Sequence, residues 1–226
     1  MNTHLGGEAG ATMIAMKLTV FGATGRTGQE LVRQALGRGH DVRAVVRDPA
    51  RLPLRNPRLT VDVADVRDPR SVLPSVTDAD AVLSALGPRR GDSAAIVADG
   101  MLAVTQAMKA AGVRRVVAIS AAPVPPPNPQ DGALYRQVVR PLLWRLFGDA
   151  YRGLMEMEQV LAECGLDWTA LRPPYLTTTP RDGRYRISFE DDERATGSLS
   201  RGNLADAMLR CLDEPDTIGR FVGVMK

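Results

Sequence analysis

The chain reads as short apolar runs separated by longer stretches in which apolar residues return every third or fourth position. Lys17–Phe21 (KLTVF) is β-branched and apolar and stops at glycine, which predicts a first strand. Residues 29–38 place Leu31, Val32, Ala35 and Leu36 at helical spacing and end among Gly37 and Gly39, a helix with a glycine stop. Asp41–Val46 and Leu59–Val63 follow as second and third strands, with a proline-rich turn between them. Pro69 at a first-turn position predicts a short helix over 68–76. Then come a strand over 81–86, a helix over 93–111 and a strand over 115–120. The C-terminal third predicts a helix over 151–164 that stops at Gly165, a strand over 168–171, a helix over 200–212 and a last strand over 221–225. Runs such as AVLSAL and VVAIS are apolar throughout, as strands covered on both faces must be. The alternation predicts an α/β fold with a doubly wound parallel sheet, a single domain over residues 15–226.

One stretch breaks the rhythm. Residues 123–129 (PVPPPNP) are an extended loop, since so many prolines fit neither helix nor central strand. Residues 134–147 then set Val138, Leu142, Leu143, Trp144 and Leu146 against Arg136, Arg140 and Arg145. Together they predict a lid-like insertion at about 123–150. Residues 1–14 are glycine-rich and polar, with no basic region followed by an apolar run, and are expected to be a disordered extension rather than a signal peptide.

Composition changes the picture little: 44% hydrophobic and 24% charged is ordinary for a globular chain. No run approaches the ~18 apolar residues of a membrane span, so no membrane partner is expected. Cys164 and Cys211 belong to no CxxC pair, which fits a reduced, cytoplasmic protein, and no His/Cys cluster offers a metal site. The net charge of +3 comes from scattered arginines with few aromatics between them, against the clustered basic face that nucleic acid requires. A small-molecule ligand and a monomer or homodimer are expected.

The chemistry sits after the first strand. Gly22, Gly25 and Gly28 form a G-x-x-G-x-x-G loop with a strand before it and a helix after it. The first glycine allows the tight turn, the second brings backbone up to a pyrophosphate, and the third lets the helix pack close. Free N–H groups at the helix start favour phosphate, with Thr24 and Thr27 adding hydroxyl donors and Arg26 a charge. This is the Rossmann-type dinucleotide site. Arg47, at the end of the second strand, favours a ribose 2′-phosphate and hence NADP(H); Asp48, one residue on, is the alternative that would take a ribose hydroxyl. Asp65 and Val66 after the third strand are candidates for the adenine, and Leu86 and Gly87 after the fourth for the floor beneath the cofactor.

Motif and element order resemble the atypical branch of the short-chain dehydrogenase/reductase superfamily. Typical members use Tyr-x-x-x-Lys, the lysine lowering the tyrosine pKa. Here the residues four beyond Tyr135, Tyr151, Tyr175 and Tyr185 are Val139, Met155, Thr179 and Phe189, so the pair is absent. The set GATGRTG, VVRDPARLP, ALG, GLDWTALRPPYL and SRGNLADAMLRCL resembles the biliverdin-IXβ reductase/flavin reductase group. That resemblance implies NADP(H), no Tyr-Lys pair, and hydride transfer to a flat conjugated acceptor. It also implies the 2′-phosphate at Arg47, and the nicotinamide is expected near Ser120 and the loop from Pro173 to Leu176. Ala121 stands where the biliverdin-reducing members carry serine, and Tyr175 where they carry histidine, so biliverdin is not the expected substrate. The expected function is an NADPH-dependent reductase of a flavin, quinone or enone, with Ser120, Tyr151 and Tyr175 as candidate catalytic residues. The alternative is a non-catalytic NADP(H) sensor, as in the NmrA-like regulators, with 134–147 as the partner surface.

Overall fold

The computed structural model describes residues 15–87, 93, 95–127, 131–189 and 197–226. The extension expected at 1–14 and residues 128–130 of the proline-rich loop lie outside the described residues. Strand β1 (Lys17–Phe21), helix α1 (Arg26–Gly37), β2 (Asp41–Val46) and β3 (Leu59–Val63) open the fold. Helix α2 (Pro69–Val76), β4 (Ala81–Ser84), α3 (Ile96–Ala111) and β5 (Arg115–Ile119) continue the alternation. Helix α4 (Arg140–Glu163), β6 (Asp167–Arg172), β7 (Tyr175–Thr177), β8 (Arg186–Ser188), β9 (Ser198–Ser200), α5 (Arg201–Arg210) and β10 (Arg220–Met225) complete it.

The main sheet runs β3-β2-β1-β4-β5-β6-β10-β8, parallel except for β8 against β10. The chain runs outward from β1 through β2 to β3, then crosses back from β3 to β4 on the other side of β1, which puts the reversal of strand order between β1 and β4. In β1, four of five residues are buried because the sheet is covered on both faces. One face carries α1 and α5 over a core that includes Leu31, Leu83, Leu171 and Leu204. The other carries α2, α3 and α4 over Val72, Met101, Met108, Met157 and Leu161. The expected doubly wound single domain is the observed one.

Two local expectations change. The amphipathic stretch 134–147 and the helix expected at 151–164 are continuous: α4 begins at Arg140, preceded by a π-helical turn at Tyr135–Val139. Gly148 does not break it: a glycine inside a helix costs about 1 kcal/mol, and here it is buried within a long amphipathic element. The strands β7, β8 and β9 were not expected, because three residues are too few to show a period. β7 and β9 form a separate parallel pair with Leu176 opposite Leu199 and Thr177 opposite Ser200.

Candidate cofactor-binding site

The glycine loop is built by backbone collisions that only glycine avoids. Gly22 has φ +72°, and a Cβ there would lie 2.3 Å from the Ala85 carbonyl oxygen, so the loop runs against the chain leaving β4. A Cβ on Gly28 would lie 2.2 Å from the Gly22 carbonyl oxygen, so α1 sits directly on the turn. Gly25 donates its N–H to that same oxygen (2.9 Å) and caps α1 in an extended conformation. No side chain caps this helix and no acid occupies its first turn. Its leading N–H groups and the positive end of its dipole are therefore directed at the space above the sheet.

That space is a crevice of about 500 Å³, within the range of cofactor clefts, at the carboxyl ends of the strands. The strand ends contribute in turn. Phe21 and the loop come from β1, Val46 and Arg47 from β2, Ala64 and Val66 from β3, Leu86 and Gly87 from β4, and Ile119 from β5. Leu176 of β7 and Arg201 of α5 close the far side. Three guanidinium groups, from Arg26, Arg47 and Arg201, line the crevice without a single carboxylate among the lining residues.

Of the residues singled out in the sequence, Gly22, Thr24, Gly25, Arg26, Thr27, Arg47, Val66, Leu86 and Gly87 come together in this lining. Gly28 supports them from below. Asp65 is outside: its carboxylate accepts from Arg67 Nε (3.1 Å), Nη2 (2.8 Å) and backbone N (3.1 Å). Those bonds hold its pKa down to about 2. Asp48 is outside as well. Its side chain accepts from Ala50 N (3.0 Å) and starts the turn Pro49–Arg51, so the ribose alternative has its carboxylate engaged elsewhere.

The expected catalytic residues also stand outside the lining. Ser120 is 4% exposed and donates from Oγ to Glu158 Oε1 (2.6 Å). Glu158 is in turn held by Arg172 through Nε (2.8 Å) and Nη2 (2.7 Å), and the Arg172 guanidinium lies 3.9 Å over the Phe221 ring. A hydroxyl has one proton to give, and this one goes to Glu158. Tyr151 is half-buried against Trp144 (5.5 Å between centroids) and Phe147 (6.3 Å). Burial, and secondarily Tyr135, pushes its phenol above the ordinary value. Tyr175 is 77% exposed on β7. Pro173 is buried, its carbonyl accepting from Ala122 N (2.9 Å).

Ile119, Arg201 and Glu158 were not singled out by their local pattern as site or network residues. Arg201 falls inside the stretch SRGNLADAMLRCL, and Leu176 ends the loop expected beside the nicotinamide.

The family model described as NAD(P)H-binding matches residues 22–215. The chain belongs to the NAD(P)H-binding family. The site suits the family's ligand on its own geometry: a glycine cradle, a helix start without a capping side chain, and Arg26 and Arg47 along the crevice. A nicotinamide dinucleotide is the cofactor this NAD(P)H-binding protein is built to hold. It is 29% identical over 230 residues to an uncharacterised chloroplastic protein of Arabidopsis thaliana, covering 97% of this chain and 80% of the relative. It is 35% identical over 174 residues to a 3-diazoavenalumate denitrifying reductase of a Streptomyces species, covering 70% of this chain and 55% of the relative. A short-chain dehydrogenase/reductase from Veillonella parvula, solved in complex with NADP, has the same fold. Its TM-score is 0.77 at 21% identity, covering 94% of this chain and 95% of that one. Among the described residues no helix is long and apolar enough to cross a membrane, and no group of His, Cys, Asp and Glu could hold a metal ion.

Proposed function

We propose that this NAD(P)H-binding protein is a reductase that uses NADPH to reduce a small conjugated acceptor of flavin, quinone or enone type. The Streptomyces relative is itself named a reductase. One observation carries the choice of NADPH: Arg47 and Arg26 line the crevice, whose described lining residues include no acid, while Asp48 spends its side chain on a turn. A 2′-phosphate gains from two guanidinium groups there, and nothing in the lining repels it.

When bound, the dihydronicotinamide supplies the hydride, and the acceptor takes up one proton besides. The residues of the chain bind and orient. The glycine loop and the start of α1 hold the diphosphate, Ala64 and Val66 flank the adenine end, and Ile119 and Leu176 give apolar walls at the other end. Met155 stands where the usual lysine would be, and burial raises the Tyr151 phenol, so it stays protonated and is a weak acid. Tyr151, Tyr175 beside Leu176, or water delivers the proton, and Ser120 acts through Glu158 as a positioning residue.

The test is NADPH oxidation by the purified protein with FMN, a simple quinone and a conjugated enone, repeated for Arg47→Ala. We expect turnover with at least one acceptor, and a loss of about 10- to 100-fold in kcat/KM for NADPH but not for NADH in the variant. An equal loss for both nucleotides would remove the 2′-phosphate role. A second reading, the non-catalytic NADP(H) sensor, is favoured by one feature: Leu134, Val138, Leu142 and Leu146 form a ridge at four-residue spacing, 53–70% exposed. Tight NADPH binding without oxidation by any acceptor would move the conclusion to the sensor.

A further inference from the structure

The three arginines of the crevice do not share one end of it. Arg47 follows β2, whereas Arg201 follows Ser200, which pairs with Thr177 in the β7–β9 ladder. β7 leaves β6 through Pro173 and Pro174, and Leu171 of β6 pairs with Ile119 of β5. Arg201, Leu176 and Ile119 therefore belong to the β5–β6 end. Along the order β2-β1-β4-β5 that end lies three strand spacings from β2, about 14 Å at about 4.8 Å each. Arg47 and Arg201 thus belong to different ends of the crevice.

The position of Arg201 is fixed. Ser200 caps α5 by accepting from Asn203 N (3.0 Å), and the Gly202 carbonyl accepts from Gln34 Nε2 (2.9 Å), which fastens the helix start to α1. The neighbouring carboxylate is already engaged. Asp206 is paired with Arg38 (2.7 Å) and Arg181 (2.5 Å) and accepts from the Tyr185 hydroxyl. Arg201 itself has no hydrogen bond or ion pair among the described residues, yet it is half-buried and lines the crevice. A guanidinium partly withdrawn from water, with no carboxylate against it among the described residues, gains from an anion that reaches it. The diphosphate has its own donors at the glycine loop and the start of α1.

We propose that Arg201 is the anion-binding residue of the acceptor end, and that the acceptor carries a carboxylate, phosphate or sulfonate beside its conjugated system. This rests on the reductase reading and adds the substrate class to it. The geometry is the reason: apolar Ile119 and Leu176 offer a surface for a flat ring, and one guanidinium at their edge gives a point of orientation. Arg201 thus sets acceptor specificity, while hydride transfer itself depends on the cofactor.

The experiment uses matched acceptors that differ in charge: FMN against riboflavin, and 1,4-naphthoquinone-2-sulfonate against 1,4-naphthoquinone. The readout is the ratio of kcat/KM, anionic over neutral, in the wild type, Arg201→Gln and Arg201→Lys, alongside the NADPH Kd. The ratio should fall about 10- to 100-fold in Arg201→Gln, mainly through KM, recover in part in Arg201→Lys, and leave the NADPH Kd within about threefold. A rise in NADPH Kd with an unchanged ratio would assign Arg201 to the cofactor and overturn the proposal, as would a ratio unmoved in every variant. If the wild type reduces no acceptor, the reductase reading fails separately. FMN and riboflavin binding to the protein–NADP+ complex, measured by calorimetry, then decides the anion site. An FMN preference lost in Arg201→Gln upholds it, and no preference removes it.

Discussion

Arg47 and Asp48 are adjacent in sequence and carry opposite charges, and only the folded chain separates their roles: one lines the crevice, the other caps a turn. The sequence offered both as candidates because each fits the end of a strand. What decides is which carboxylate oxygens are already occupied, and that is a three-dimensional fact. The glycines were fully legible, because a strand–turn–helix leaves few alternatives for a Gly-x-x-Gly-x-x-Gly run. Gly22 is the sharpest case. Its positive φ and the 2.3 Å approach to a backbone oxygen mean that a methyl group there cannot be absorbed by a side-chain movement. Gly22→Ala should cost about 3 kcal/mol or more and abolish NADPH binding, since the loop must move off the end of β4. Urea unfolding and a nucleotide titration of the same preparation check both halves; wild-type affinity in a stable variant would mean that the loop accommodates the Cβ.

At the scale of elements, the alternating pattern foretold β1 through β6, β10 and the helices, because strands buried on both faces and amphipathic helices leave long, regular signatures. It did not foretell β7 and β9, and with them Arg201 was missed, since a three-residue ladder depends on its partner and not on its own sequence. Glu158 shows the same limit on a helix. Glu156 and Glu158 look alike in sequence, yet Glu156 is exposed and Glu158 is 6% exposed beneath β5 and β6. There it joins three elements: Ser120 beyond β5, α4 itself, and Arg172 at the end of β6. Glu158→Ala leaves Arg172, whose side chain is 16% exposed, without its partner, and should cost about 3–5 kcal/mol. Ser120→Ala removes one hydrogen bond to a charged group and should cost about 1.5–3 kcal/mol, with a smaller effect on kcat. Denaturant midpoints set beside kcat and KM test this. A Ser120→Ala variant of unchanged stability but greatly reduced kcat would give Ser120 a direct role with substrate and refute the positioning role.

For the molecule as a whole, the end of the sheet opposite the crevice is where the two faces are tied together. Arg115, at the start of β5, donates through Nη1 to the Asp167 carbonyl (2.9 Å) and through Nη2 to Thr217 Oγ1 (3.0 Å) and the Cys211 carbonyl. It thereby joins β5, β6, the end of α5 and the turn before β10. Cys211 is completely buried in the core under α1 and α5, and burial raises its thiol from 9.0 to about 11, with Arg115 opposing. On the same face the Tyr185 phenol is also raised, first by burial and then by its hydrogen bond to Asp206. Both groups are neutral when protonated, and both hold their protons more tightly in the folded chain. Between pH 9 and 11 the native state therefore binds more protons than the unfolded one, so stability must fall as pH rises through that window. A two-unit shift corresponds to about 2–3 kcal/mol from the thiol alone. Urea midpoints at pH 8, 9, 10 and 11 should decline, and Cys211→Ala, whatever its cost at pH 8, should flatten the decline. An unchanged slope in that variant with a flattened one in Tyr185→Phe would transfer the effect to the phenol. An unchanged slope in both would mean that alkaline unfolding begins elsewhere, with the weakening of the arginine ties at the base of the sheet as the next cause to test.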